Sequence, residues 1–567
     1  MHDSQKLPAS AGKNSVFGRL LPEIILLLLF LGLTSLVSAF HEPWFDEAQA
    51  WMIARDATFR EILFVLPHYE GHPPLWHLIL LPFAKLGAPY EWSIKVISIF
   101  IGGVSAFLLL FRSPFPRPVR MALPFTYFLF YQYCVISRPY CLLGLALLLA
   151  AMAYPARQEK PFRYVLSLGF LCLTSAYGIL LAGGIAVCWL VEICISYKKQ
   201  PFSALLRDRR IHALLCLLAL ALVLIADIMP YANAYAYGNP RTVVNSLPVR
   251  LLYALFVLPG DALLYDGMSR GYMLKYYPFS SLNLIAGSFI GIIVWGFLLA
   301  FAYRKRRFLL LLIPYLFFAV FSAVFYLYPH HIGIATLFFL YWFWVCSGEA
   351  APARPLPAPL QGKLDAASVE KLRRYLPVPL YAVLAIQLFW SVAASVNEIR
   401  LPYSESRDVA AFIQQYHLSD ATIMMSWGHQ EKCDETAAYQ DDPNPETATL
   451  LMPYFDENIV ANFNYGNPKQ RYNTHTLLTK EACTEELLSW KAIGTPDVLL
   501  GRCPFDELYP DGSVSMSDYV PVQRFDVDML WKSGMYDVRW WYLYLRKDLL
   551  PQYGLTEIEE EPFFTVE

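Results

Sequence analysis

Apolar residues in this chain fall in long continuous runs rather than at the spacing of half-buried helices or strands. Many runs approach the ~20 residues that a helix needs to cross a bilayer. Threading crossings through them predicts about eleven transmembrane helices. They fall near residues 20–40, 92–111, 121–137, 139–155, 164–177, 179–196, 211–229, 282–303, 308–326, 332–348 and 377–396. The apolar stretch from Pro73 to Leu86 is not among them. It is too short and carries Pro82 and Lys85, so it reads as a helix lying in the membrane interface.

The pattern changes after Asn397. Apolar positions from Ser406 to Tyr416 have helical spacing, while Thr422–Met425, Asp497–Leu500 and Trp540–Leu545 read as strands. The expectation is a transmembrane domain over 1–396 and a small α/β domain over 397–567. The Pro/Ala-rich stretch 349–362 reads as a flexible linker.

Charge adds orientation. Basic clusters occur at Lys6/Lys13/Arg19, Arg112/Arg117/Arg120, Arg157/Lys160/Arg163, Lys198/Lys199/Arg207/Arg209/Arg210, Arg304/Lys305/Arg306/Arg307 and Lys363/Lys371/Arg373/Arg374. The crossings above put every cluster on one side, which the positive-inside rule makes cytoplasmic. The N-terminus is then cytoplasmic and the C-terminal domain extracytoplasmic. The outer face receives 41–91, the turn at Ser137-Arg138-Pro139-Tyr140, a long loop at 230–281 and Tyr328-Pro329-His330-His331. A bacterial inner membrane suits this plan, with the endoplasmic reticulum as the alternative.

Composition agrees with a membrane protein. Of 567 residues 56% are hydrophobic, above the roughly 45–50% of soluble chains. The first run is too long for a cleaved signal peptide, and Trp44 and Phe45 read as an interfacial anchor. Seven of the ten cysteines lie in or beside apolar runs and read as small core residues. Cys433, Cys483 and Cys503 lie in the tail, where one disulfide could form in an oxidising space.

The chemistry gathers on the outer segments. His41-Glu42-Pro43-Trp44-Phe45-Asp46-Glu47 follows the first run, and Glu70-Gly71-His72-Pro73-Pro74-Leu75 comes soon after. Carboxylates at the lip of a bilayer lose hydration, so an idle pair there is costly. The bland rival is that Asp46 and Glu47 merely cap a helix. Arg138 could equally snorkel to headgroups, His72 could be a packing residue, and His330-His331 an interfacial polar step. His41, Asp46, Glu47 and His72 are also a metal alternative, without tight ligand spacing.

An acidic pair just after the first span, then a basic-Pro-Pro-Leu step opening an interfacial helix, resembles the GT-C membrane glycosyltransferases. The branch it looks most like is that of the protein O-mannosyltransferases and aminoarabinose transferases. Ser137-Arg138-Pro139-Tyr140 is similar to an Arg-Pro-Tyr element of that family. The resemblance covers about 1–396 and implies a GT-C-like fold. It also implies transfer of a sugar from a polyprenyl phosphate to an acceptor on the outer face. Asp46 is then the base, with Glu47 supporting it or holding the loop. His72, Arg138, His330 and His331 are candidates for the donor phosphate. Ile136 departs from the pattern, since many relatives carry an acid there. Asp261, Asp266 and Arg270 in the long loop are candidates for that missing contribution.

The expected chemistry needs cations at the lipid phosphate and one base at the acceptor hydroxyl. Direct attack inverts the anomeric carbon. No cofactor is required, with a divalent metal as an open alternative. The rival functions are a transporter or flippase of lipid-linked or small solutes, and a membrane scaffold. A transporter should show related halves and ionisable residues in mid-membrane. Here the notable charges gather at the outer ends.

Overall fold

The computed structural model describes residues 13–235, 243–264, 281–348, 377–426, 440–441, 444–501, 514–527 and 539–560. Among these, eight helices are long and apolar enough to cross a membrane. In chain order the helices that matter here are α1 (Lys13–Phe40), α2 (Phe45–Asp56), α3 (Leu75–Lys85), α4 (Tyr90–Arg112), α5 (Tyr140–Ala153) and α6 (Pro161–Cys172). They continue as α7 (Ala176–Ser196), α8 (Arg209–Ile228), α9 (Leu247–Leu264), α10 (Ser281–Lys305), α11 (Phe308–Val324), α12 (Ile332–Gly348) and α13 (Pro377–Arg400).

The outer faces of these helices stay bare. Phe100 on α4 is 70% exposed, Leu282 on α10 76% and Phe389 on α13 64%. Continuous apolar faces of this kind need lipid rather than water, so the chain is a multi-pass membrane protein. Inside, the helices approach closely. A Cβ on Gly184 of α7 would stand 2.5 Å from the Pro314 Cα of α11, so only glycine fits at that crossing.

Basic residues meet at one end of the bundle. Glu23 pairs with Arg117 at 2.9 Å and Arg120 at 3.0 Å. Glu192 pairs with Arg157 at 3.0 Å and Arg307 at 2.9 Å. The polar C-terminal part caps the opposite end.

Three expectations change in detail. The crossings expected at 139–155, 164–177 and 308–326 form α5, α6 and α11, apolar helices that, like α3, fall short of the membrane-length set. The crossing expected at 121–137 is not a straight helix. It is a short 3₁₀ turn at Leu123–Phe125 and wide turns over Phe128–Val135, with Tyr133 outside helical geometry. Pro124 breaks the ladder, and the broken backbone is tolerated because Tyr127, Tyr131 and Tyr133 are buried in protein, away from lipid.

The third change is larger. Residues 247–264, expected in a long outer loop, form α9 inside the bundle. Pro248 sits in the first turn, where proline costs nothing, and Pro259 follows wide turns over Tyr253–Val257 that absorb its missing donor. α9 starts beside the C-terminal end of α11, where Arg250 donates to the Ala323 carbonyl. It ends near the middle of α13, where Gln387 donates to the Leu263 carbonyl at 2.8 Å. A Cβ on Gly291 would collide with the Phe256 carbonyl, so glycine lets α9 lie on α10.

The C-terminal part opens with α14 (Ser406–Gln415) and builds a four-stranded sheet. Its strands are β1 (Ile423–Met425), β4 (Val498–Gly501), β5 (Tyr519–Val527) and β6 (Arg539–Arg546), in the order β1-β4-β6-β5. β1 and β4 are parallel, and the β4–β6 and β6–β5 pairs antiparallel. β2 (Gln440–Asp441) and β3 (Leu477–Leu478) form a separate two-stranded pair. The helix and three strands expected in the tail are present, while β5 was not anticipated. One buried cluster runs from Trp51 and Ile53 of α2 through Val409, Leu451 and Val498 to Trp541. The C-terminal part is therefore docked on α2 by a continuous apolar core. Cys433 and Cys503 lie outside the described residues, and with them any pairing of the three tail cysteines.

Candidate functional site

The site is built where α2 begins. Trp44 is the last residue before the helix, and Asp46 and Glu47 occupy its first turn. The two acids diverge. Glu47 is fully buried and turns inward, accepting from the Trp44 N–H at 3.1 Å and the Ser137 N–H at 2.6 Å, with His41 Nε2 at 2.9 Å. It therefore does the capping that a bland reading would give both acids. Asp46 does not. Its side chain remains 31% exposed and forms an ion pair with Arg138, whose own side chain is only 11% exposed.

Arg138 comes from the turn before α5, and Pro139 fixes the helix start immediately after it. The guanidinium lies 5.2 Å from the Trp44 ring centre and 5.5 Å from that of Tyr140. Aromatic faces attract a cation most when water is scarce, so these rings hold the charge in place.

The remaining wall comes from Pro329–His331, the turn that leads into α12. His331 Nδ1 accepts from the Tyr328 N–H at 3.1 Å. Its Nε2 must then carry the proton and donate to the Tyr140 hydroxyl at 2.7 Å. The His330 ring stacks on Tyr328 at 5.7 Å and approaches Trp44 at 6.0 Å and Tyr140 at 5.8 Å. His72, in the turn before α3, faces Tyr140 with ring centres 6.3 Å apart. Its Nδ1 is buried with no hydrogen-bond partner among the described residues, and burial pushes its pKa down to about 4.

Asp46, Glu47, His72, Arg138, His330 and His331 thus share one end of the bundle, the end capped by the C-terminal part. Asp261 does not join them. It lies on α9, 2% exposed, and accepts from Tyr253 at 2.7 Å, so it is not in the outer loop where it was a candidate for the site. Asp266 and Arg270 lie outside the described residues. Among those described, no group of three or more His, Cys, Asp or Glu side chains is placed to hold a metal ion.

The C-terminal part reaches the site through one extended strap. Arg471 forms a two-pronged pair with Asp56 at 2.8 and 2.9 Å. Two residues on, the Asn473 N–H and carbonyl are both engaged by the Gln49 amide, which also donates to Glu70 at 3.0 Å. Two further on, the His475 ring meets Phe45 at 5.7 Å. The strap therefore runs antiparallel along α2 and ends one residue from Asp46. Nothing in the sequence marked it. Glu398, the distal partner of His41, was also not singled out, although an acid near the end of the last apolar run is a readable signal.

No family model matches the chain, and no curated protein matches it. Among solved structures it is similar to ArnT from Cupriavidus metallidurans bound to undecaprenyl phosphate. That likeness has 14% sequence identity over 93% of this chain and 98% of the other, with a TM-score of 0.47. The apo state of the same protein gives 13% identity over 94% and 98%, with a TM-score of 0.44.

Proposed function

We propose that this chain is a GT-C-type membrane glycosyltransferase. It moves a sugar from a polyprenyl-phosphate donor to an acceptor on the extracytoplasmic face, with the basic end of the bundle in the cytoplasm. The observation that carries the reading is the Asp46–Arg138 pair. A partly open carboxylate and an enclosed guanidinium meet beneath an imidazole and tyrosine wall, at the lip of an apolar bundle. A hydroxyl acceptor needs a base, and a leaving phosphate needs fixed positive charge. Asp46 and Arg138 supply the two side by side.

In this reading the donor phosphate takes Arg138 from Asp46, and the carboxylate is freed for the acceptor. Asp46 accepts the acceptor's hydroxyl proton as the acceptor oxygen bonds to the anomeric carbon. The bond from that carbon to the phosphate oxygen breaks on the opposite side, and the electron pair leaves with the phosphate. His72, with His330, adds donors to the phosphate oxygens, while His331, committed to Tyr328 and Tyr140, holds the wall in place. The configuration at the anomeric carbon inverts. Glu47 has no free face for substrate and serves by holding the loop.

The test is transfer of labelled sugar from a panel of polyprenyl-phosphate sugars by purified protein in bilayers. Transfer with inverted configuration is expected from at least one donor. Donor binding with no transfer from any of them would overturn the reading.

A further inference from the structure

A buried chain of charges lies behind the site. His41 immediately follows α1 and its side chain has no exposure. Its Nε2 faces Glu47 at 2.9 Å and its Nδ1 faces Glu398 of α13 at 3.0 Å. Tyr131 donates its hydroxyl to the second Glu398 oxygen. Both ring nitrogens can donate only when the imidazole is protonated. Burial opposes that charge, but Glu47 and Glu398 on either side raise the His41 pKa to about 10. A cation between two carboxylates in a dry interior is a poor device for stability alone, because well-packed apolar residues often serve as well.

Its position suggests a different task. Glu47 is next to Asp46 in sequence, and Ser137 is next to Arg138. The Glu47–Ser137 hydrogen bond, at 2.6 Å, therefore ties together the two backbones that present the Asp46–Arg138 pair. The other Glu47 oxygen is held by the Trp44 N–H at 3.1 Å and by His41 at 2.9 Å, and of the two His41 is the one that brings a charge. Glu398 and Tyr131 in turn fix the imidazole, from a helix that the sequence places 357 residues away.

We infer that His41 is a positioning residue: with Glu398 and Tyr131 behind it, it locks Glu47 so that Asp46 and Arg138 keep the separation that sugar transfer requires. This rests on the transferase reading above. It predicts an effect on turnover rather than on donor binding, since His41 touches neither the pair nor the phosphate wall.

The experiment measures kcat, donor KM and thermal unfolding of His41→Gln, Glu398→Gln and the double variant in the full-length protein. A misplacement of about 1 Å costs on the order of 100-fold in rate, so His41→Gln should lose 10- to 100-fold in kcat with donor KM within about threefold. The double variant should lose no more than the worse single one, because both act through Glu47. Glu192→Gln, which removes the partly exposed ion pairs with Arg157 and Arg307 at the opposite end, should leave kcat unchanged. If His41→Gln does not fold, Tyr131→Phe removes only one hydroxyl and should still lower kcat several-fold. Wild-type kcat in a folded His41→Gln or Tyr131→Phe protein, or fully additive losses in the double variant, would overturn the proposal. Absence of transfer by the wild type would instead remove the transferase reading on which it stands.

Discussion

Replacing Arg138 by Gln keeps a polar side chain of similar reach but removes the charge. In the structure that guanidinium pairs with Asp46 and lies within 5.5 Å of two aromatic ring centres. A hydrogen bond to a charged group contributes about 1.5–3 kcal/mol. Asp46 is 31% exposed, so solvent screening places this pair near the lower end. The ring contacts persist in the free and donor-bound enzyme and cancel, so the expected loss is about 1.5–2 kcal/mol, roughly 10- to 30-fold in a rate or binding constant. If Arg138 exchanges Asp46 for the donor phosphate, that loss should show in kcat/KM for the donor. Arg138→Lys should recover only part of it, because an ammonium lacks the planar fork. The assay is donor titration with wild type, Arg138→Gln and Arg138→Lys, with unfolding temperatures as control. A folded Arg138→Gln protein with kcat/KM within threefold of wild type would refute the assignment.

Other consequences follow from charge and docking. His72 is held neutral by burial, with a pKa near 4, and a bound phosphate would draw a proton onto it. A sugar phosphodiester does not titrate near neutrality, so donor KM should fall as pH drops from 8 to 6, and His72→Gln should flatten the curve; a flat wild-type curve speaks against phosphate contact. Glu405, at the start of α14, has its pKa raised from 4.5 to about 8 by burial, by Glu42 and by Asp408. A raised pKa means stability present below the unfolded value and lost as pH rises through the folded one. The wild type should therefore lose stability between pH 5 and 9, and Glu405→Gln should be the more stable at pH 9 by about 1–2 kcal/mol; superimposable pH curves would exclude this. Arg471→Met breaks the buried pair with Asp56, although Arg55 remains 3.4 Å from that carboxylate. Breaking a buried pair costs about 3–5 kcal/mol, so roughly 2–3 is expected here. Asp56→Asn added to Arg471→Met should restore part of that loss in thermal unfolding, and strictly additive losses would contradict a direct pair.

Membrane helices were legible because their length is set by bilayer thickness, which leaves a mark in any window of sequence. Asp46, His72, Arg138 and His330-His331 were legible because each sits in a short polar break between apolar runs. α9 was not, because Pro248, Pro259, Gly260 and Asp261 carry the residue types of a loop. Only burial against α10 and α13 makes them a helix. The division of labour between Asp46 and Glu47 was also hidden. It depends on His41 and on the Ser137 N–H, contacts made across 6 and 90 residues that no local pattern announces. The strap along α2 was hidden for the same reason, since Arg471 and Asp56 are 415 residues apart.

The most direct test of the account is Asp46→Asn in the labelled-sugar assay, with donor binding measured on the same protein. Asparagine keeps the size and the hydrogen-bonding oxygen but cannot accept the acceptor's proton. General-base catalysis contributes about 10²–10⁴-fold, so turnover should fall by at least about 100-fold while donor still binds. Turnover by Asp46→Asn within a few-fold of wild type would show that this carboxylate is not the base and would contradict the account.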